Sequence, residues 1–131
     1  MIELKRILHM EDDPEILKIT GMALELLGGF CLEQFESGEA GIAAIERFGP
    51  QLVVSDVQMP GLTGPETLQE MRKISGYEDI PAVYLTAQLM NNGEGLLSHP
   101  RDLGIVGKPF DPATLATELK EIWATSGPHT T

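Results

Sequence analysis

Five polar residues of this chain fall where short apolar runs end. Glu11 and Asp12 follow residues 6–10, Asp56 follows 51–55, Thr86 follows 80–85 and Lys108 follows 104–107. Three carboxylates gathered in one place repel each other, and without a cation their protonation would be perturbed. A hard divalent cation removes that problem. Mg²⁺ suits a site with a few carboxylates, several waters and a phosphoryl oxygen. A carboxylate beside such a cation can accept a phosphoryl group and become an acyl phosphate. The equatorial oxygens of the transferred group then need stabilising. Lys108 can supply a point charge there, and Thr86 a hydroxyl donor.

These residues act together only if the fold brings them together, and the patterning says that it does. Residues 6–10 read as a buried strand. Asp13-Pro14 reads as an N-cap followed by proline in the first helical turn, with Ile16, Ile19, Ala23, Leu26 and Leu27 at helical spacing and Gly28-Gly29 as the stop. The Met and Leu positions of this helix are expected in the core. A second strand spans 30–35, a helix 37–48, and the β-branched run 51–55 is a core strand. Thr63 and Glu66 have capping-box spacing for a helix reaching about residue 74. Strands at 80–85 and 104–107 follow. The segment 88–104 should hold a helix, short or mobile because of Gly93, Gly95 and Pro100. Asp111-Pro112 is expected to cap a last helix to about residue 124. The domain so defined spans 1–125, with a flexible tail at 126–131. Cys31 and His9 fall inside predicted strands and are expected to be core or half-buried.

Five strands alternating with five helices imply an α/β fold, a doubly wound parallel sheet with helices on both faces. Sites in such sheets form beyond the carboxyl ends of the strands, which is where the five polar residues lie. Composition narrows the rest. The 131 residues are enough for one domain, and 42% of them are apolar, enough to fill a core. Nine basic against 20 acidic residues give a net charge of −11, which argues against non-specific nucleic-acid binding and adsorption to an anionic membrane. There is no apolar run of spanning length and no signal-peptide pattern. A lone Cys31 and scattered His9, His99 and His129 give neither an internal disulfide nor a zinc site, and the chain reads as cytoplasmic.

The motifs together resemble the receiver domain of two-component response regulators, the CheY-like superfamily. They are Glu11-Asp12, the run Asp56-Val57-Gln58-Met59-Pro60 with Gly64, Leu85-Thr86-Ala87, and Lys108-Pro109-Phe110. The likeness covers residues 4–125. It implies a flavodoxin-like sheet of order 2-1-3-4-5 with five helices. It also implies a phosphoacceptor at Asp56, served by a histidine kinase or a His-containing phosphotransfer protein. Mg²⁺ (or Mn²⁺) would be bound by Asp12 and Asp56, by Glu11 through water and by the backbone carbonyl of Gln58. Thr86, Ala87 and Lys108 would meet the phosphoryl group, and the Lys108–Pro109 peptide would be cis. The output would be a downstream protein bound at the face of the fourth predicted helix, fifth strand and fifth predicted helix. A phosphorylation-dependent homodimer is also allowed.

The chain departs from the family's pattern at two places. Glu11 stands where Asp is commoner. Ile105 stands where many receivers carry an aromatic residue, so the coupled inward movement of Thr86 and that aromatic cannot operate in its common form. Reordering of the fourth predicted helix is one substitute. Gln58 and Gln88 hold the positions that tune hydrolysis of the acyl phosphate. Neither can deprotonate water, so a moderately long-lived phosphorylated state is expected. Few residues follow the last predicted helix, so a single-domain regulator is expected, with a receiver cut from a larger regulator as the alternative. Two further alternatives are an interaction module that works without phosphorylation and an aspartyl-phosphate phosphatase. Gln58 argues against the phosphatase, because the general acid of such enzymes belongs at that position.

Overall fold

The computed structural model describes residues 2–87 and 97–128. Its strands are β1 (Arg6–Met10), β2 (Cys31–Phe35), β3 (Leu52–Asp56), β4 (Ala82–Thr86) and β5 (Asp102–Gly107). All pair in parallel, in the order β2-β1-β3-β4-β5. The helices are α1 (Pro14–Gly21), α2 (Gly38–Phe48), α3 (Gly64–Met71) and α4 (Leu115–Ser126).

Side chains alternate across the sheet with the period of a strand. Ile7, Val54, Val83 and Leu85 pack with Ala23, Leu24, Leu115, Leu119 and Trp123 on one face. Leu8, Met10, Val53 and Tyr84 pack with Ile45, Phe48, Leu68 and Met71 on the other. The three inner strands are buried on both sides, which is why they read as nearly unbroken apolar runs. Local chemistry sets the helix ends. Asp13 accepts hydrogen bonds from the backbone N–H groups of Glu15 and Ile16. Ser37 accepts one from Ala40 N–H. Thr63 and Glu66 form the reciprocal capping box. Gly49 ends α2 in the left-handed conformation at φ 66°, where a side chain would be strained.

Several expectations are corrected. Four α-helices occur among the described residues, not five. The helix expected within 88–104, with its mobility and Gln88, falls mostly on residues 88–96, outside the described residues, and 97–101 form only a bend and a turn. α1 passes into a π-helical segment, Met22–Leu27, closed by Gly28 N–H donating to Ala23 C=O at 3.0 Å. The wider turn changes the angular advance per residue. Ala23 and Leu24 face the core, whereas Ile19, Met22, Leu26 and Leu27 are exposed.

Cys31 is exposed. It begins β2, an edge strand with β1 on one side only. His9 is fully buried. Asp111 caps no helix. Its carboxylate accepts from Ala113 N–H at 2.9 Å in a turn, and α4 starts three residues later than expected from that cap, with Thr114 as N-cap residue. At its other end α4 continues to Ser126, and residues 129–131 of the expected tail lie outside the described residues.

Candidate functional site

Each site residue is placed by the end of a strand. Glu11 extends β1, Asp56 is the last residue of β3, Thr86 the last of β4, and Lys108 follows β5. Parallel pairing puts these ends at one edge of the sheet, and β1 and β3 are direct neighbours. One carboxylate oxygen from each of Glu11, Asp12 and Asp56 lies within 4.8 Å of the other two. Glu11 and Asp56 are buried and Asp12 is exposed. Two walls and one open side suit a hard cation that keeps part of its water.

Lys108 closes the cluster. Its Nζ lies 2.7 Å from Glu11 Oε1 and 3.2 Å from Asp56 Oδ1. Glu11 Oε2 accepts from Asp13 N–H at 3.2 Å. Burial pushes the Glu11 carboxyl up to about 6; the Asp56 charge adds to this, and the Lys108 hydrogen bond opposes it. For Lys108 burial acts to lower the pKa, but its bonds and charge attraction to Glu11 and Asp56 outweigh that, and the ammonium is held above its usual range. A lysine held charged beside two carboxylates is suited to stabilising negative charge that develops next to it.

The Lys108–Pro109 peptide is cis. Thr86 is buried, and its carbonyl accepts from Lys108 N–H at 2.8 Å. Ala87 is exposed beside Lys108, and both line one cavity. Gln58 lies in the loop after Asp56 with its side chain exposed. That loop is drawn close by Gly64, whose N–H donates to Val57 C=O at 2.9 Å and where a Cβ would collide with the Asp56 carbonyl. Ile105 is half-buried and pairs with Tyr84.

Two features were not expected from the sequence. Glu11, expected to serve a metal through water, is bonded directly to Lys108; the partners are 97 residues apart, and no local pattern announces the bond. The second is a buried ion pair of Arg72 with Asp102 at 2.8 Å. Its only sequence signal is an acid at the start of an apolar strand.

A parallel 2-1-3-4-5 sheet with acids, a hydroxyl and a lysine at its carboxyl edge defines a doubly wound α/β protein with an acidic cleft at the switch point. The sequence model of the response regulator receiver domain matches residues 7–120, and the chain belongs to that family. It is 32% identical over 126 residues to the phosphate regulon transcriptional regulatory protein PhoB of Pseudomonas aeruginosa, covering 95% of this chain and 54% of that one. It is 36% identical over 119 residues to the transcriptional regulatory protein QseB of Haemophilus influenzae, covering 89% and 52%. The chain thus spans about half the length of these curated relatives.

Among solved structures it resembles the chemotaxis response regulator CheY4 of Vibrio cholerae, with a TM-score of 0.81 and 25% identity over 91% of this chain and 98% of that one. It also resembles the receiver domain of a sensor histidine kinase of Pseudomonas aeruginosa, with a TM-score of 0.78 and 24% identity over 92% and 98%; that structure has magnesium coordinated in its active site cleft. No helix among the described residues is long and apolar enough to cross a membrane.

Removing one carboxylate from an oxygen-ligand site should weaken it measurably. Asp12→Asn is expected to weaken Mg²⁺ binding about tenfold or more, the scale on which even outer partners of metal sites act. Asp12 is exposed, and loss of its charge relieves repulsion within the acid cluster, so the thermal midpoint without metal should not fall. Equal Mg²⁺ affinity of the two proteins by calorimetric titration would remove Asp12 from the site.

Proposed function

We propose that this chain is a phosphorylation switch in which Asp56 accepts a phosphoryl group from a histidine kinase or His-containing phosphotransfer protein. The observation that carries the reading is the bridging position of Lys108 between Glu11 and Asp56, beside an open acid cluster. One Asp56 oxygen forms the new bond to phosphorus as the donor imidazole leaves. Mg²⁺ held by Glu11, Asp12 and Asp56, with the Gln58 carbonyl, would offset the charge. Lys108 and Thr86, with Ala87, would meet the phosphoryl oxygens.

Phosphate would take Lys108 from the carboxylate that it now shares, and this biases a two-state equilibrium that a partner protein reads. The chain turns over no separate substrate in this reading. It works in the cytoplasm with its kinase and contacts no nucleic acid itself.

The test is incubation with Mg²⁺ and acetyl phosphate, read by intact mass. The expected result is one labile phosphoryl adduct, absent without Mg²⁺ and absent in Asp56→Ala. Steady release of phosphate from many phosphoesters would instead indicate a phosphatase. The lack of any adduct, from acetyl phosphate or from a kinase, would leave only an unphosphorylated interaction module.

A further inference from the structure

We propose that the cavity between α3 and residues 98–102 is a binding site for a small organic monocarboxylate, separate from the acid cleft. The inference does not rest on the phosphoryl chemistry. The cavity has a volume of about 520 Å³, within the range of about 300–1,000 Å³ that holds small molecules. Asp102 opens β5, whereas Lys108 follows the far end of that strand. The cavity and the acid cluster thus belong to opposite ends of β5.

Secondary structure builds the walls. Pro65, Gln69 and Arg72 recur at i, i+4 and i+7, so they line the cavity from one face of α3 and its C-terminal cap. Tyr84 lines it from β4, and His99 and Asp102 from the entry to β5.

The hydrogen-bonding groups on these walls are mostly donors. The bonds of Arg72 to Ile80 C=O and to Asp102 run through Nε and Nη2, so Nη1 is the nitrogen left for a further acceptor. His99 Nδ1 accepts from Arg101 N–H at 2.9 Å, which puts the ring proton on Nε2 as a donor. Lys73 Nζ gives one N–H to Glu70 at 2.7 Å and has two more. Burial, then the Asp102 charge, holds the Tyr84 phenol above its usual range, so it keeps its O–H. Asp102 is the carboxylate among the described wall residues, and it is already filled. Oδ1 takes Arg72 and Oδ2 takes His99 N–H. Donors in excess, around an acid that is satisfied, call for an anionic ligand.

Charge sets how anionic. Arg72 is matched by Asp102, and Lys73 by Glu70. The cavity therefore has no spare positive charge for a dianion such as phosphate. A single carboxylate gains the charge-assisted hydrogen bonds without that excess. Pro65 and the ring of Tyr84 supply apolar surface for the body of the ligand.

Titration of the full chain with benzoate, without Mg²⁺ or a phosphodonor and followed in ¹H–¹⁵N correlation spectra, tests this. The expected result is saturable shifts of the Gln69, Lys73, His99 and Asp102 amides. The dissociation constant should be about 1 mM or tighter, a modest demand on a ligand of this size. Tyr84→Phe should raise that constant about tenfold, the scale of one hydrogen bond to a charged group. Lys73→Gln should raise it as well. Lys73 is exposed, so this variant should melt with the parent by circular dichroism. Benzyl alcohol, with the same ring and no charge, should bind about tenfold or more weakly. The inference is overturned by a lack of saturable binding, by shifts centred on Ala87 and Lys108, or by equal binding of benzyl alcohol. Tighter binding of inorganic phosphate overturns it too, as does a constant that neither variant moves.

Discussion

Lowering the pH from 7 to about 4.5 is expected to cost the fold about 3 kcal/mol through His9 alone, at about 1.4 kcal/mol per pH unit below the ordinary histidine value. His9 is fully buried in β1. Its Nδ1 is 3.1 Å from Gln34 Nε2, and that same Nε2 donates to Leu17 C=O at 2.7 Å. The second bond fixes the amide orientation, so Nδ1 must accept and the ring proton sits on Nε2, a buried atom without a partner among the described residues. A second proton would have to enter on Nδ1, against a donor. Burial, with a smaller contribution from the Lys108 charge, lowers the pKa to about 3.

The sign follows from proton binding. Between about pH 3 and 6.5 the unfolded chain carries a proton on His9 that the folded chain refuses. The contribution is therefore complete above the ordinary histidine value and is lost as the pH falls towards 3. Glu11 acts in the opposite sense. Its carboxyl is raised to about 6, so its protonation on acidification favours the fold.

A His9→Leu variant isolates the histidine, because it retains Glu11. Urea unfolding of both proteins at pH 7 and 4.5 should show the variant losing less stability by about 3 kcal/mol. Equal losses in the two proteins would mean that His9 is charged in the folded state.

His9 also shows what the sequence does and does not disclose. Its place in a buried strand follows from the apolar run around it. So does the convergence of Glu11, Asp12, Asp56, Thr86 and Lys108, because strand ends in a parallel sheet share one edge. Capping chemistry is legible in part: Asp13 and the Thr63–Glu66 box act within three residues as their spacing says, whereas Asp111 closes a turn instead of a helix.

Contacts that depend on distant partners are not legible. Glu11 looks like one more acid beside a cation site until β5 delivers Lys108 to it. The π-helical segment leaves no periodic trace, because Leu26 and Leu27 fit the apolar stripe of a regular helix equally well. The exposure of Cys31 depends on strand order, which places β2 at an edge; its own neighbours say nothing of that.

Arg72→Met is expected to destabilise the fold by about 3–5 kcal/mol, the cost of leaving one partner of a buried ion pair behind. Arg72 lies just past α3, with its side chain 10% exposed, and Asp102 opens β5 with its side chain 2% exposed. The guanidinium bonds Asp102 Oδ1 at 2.8 Å and the Ile80 carbonyl at 2.9 Å, while Asp102 Oδ2 accepts from His99 N–H at 3.1 Å. Every strong acceptor of the carboxylate is thus used inside the protein. Tyr84 lies close enough to feel both charges. Burial, then the Asp102 charge, raises its phenol pKa, and Arg72 opposes this. Without Arg72, Asp102 would be a buried anion facing a phenol and the edge of the α3 core.

The pair itself need not be net stabilising, since the two desolvation costs offset much of the attraction. The double variant Arg72→Met with Asp102→Leu should therefore recover most of the loss, to within about 1 kcal/mol of the parent. The His99 N–H, left without its acceptor, is part of the remainder. A double-mutant cycle by urea unfolding measures this directly. If Arg72→Met alone costs less than about 1 kcal/mol, the pair behaves as an exposed one, and water reaches Asp102. What the ion pair adds is then position rather than energy. It ties the end of α3 to the first residue of β5, the strand that carries Lys108 to Asp56.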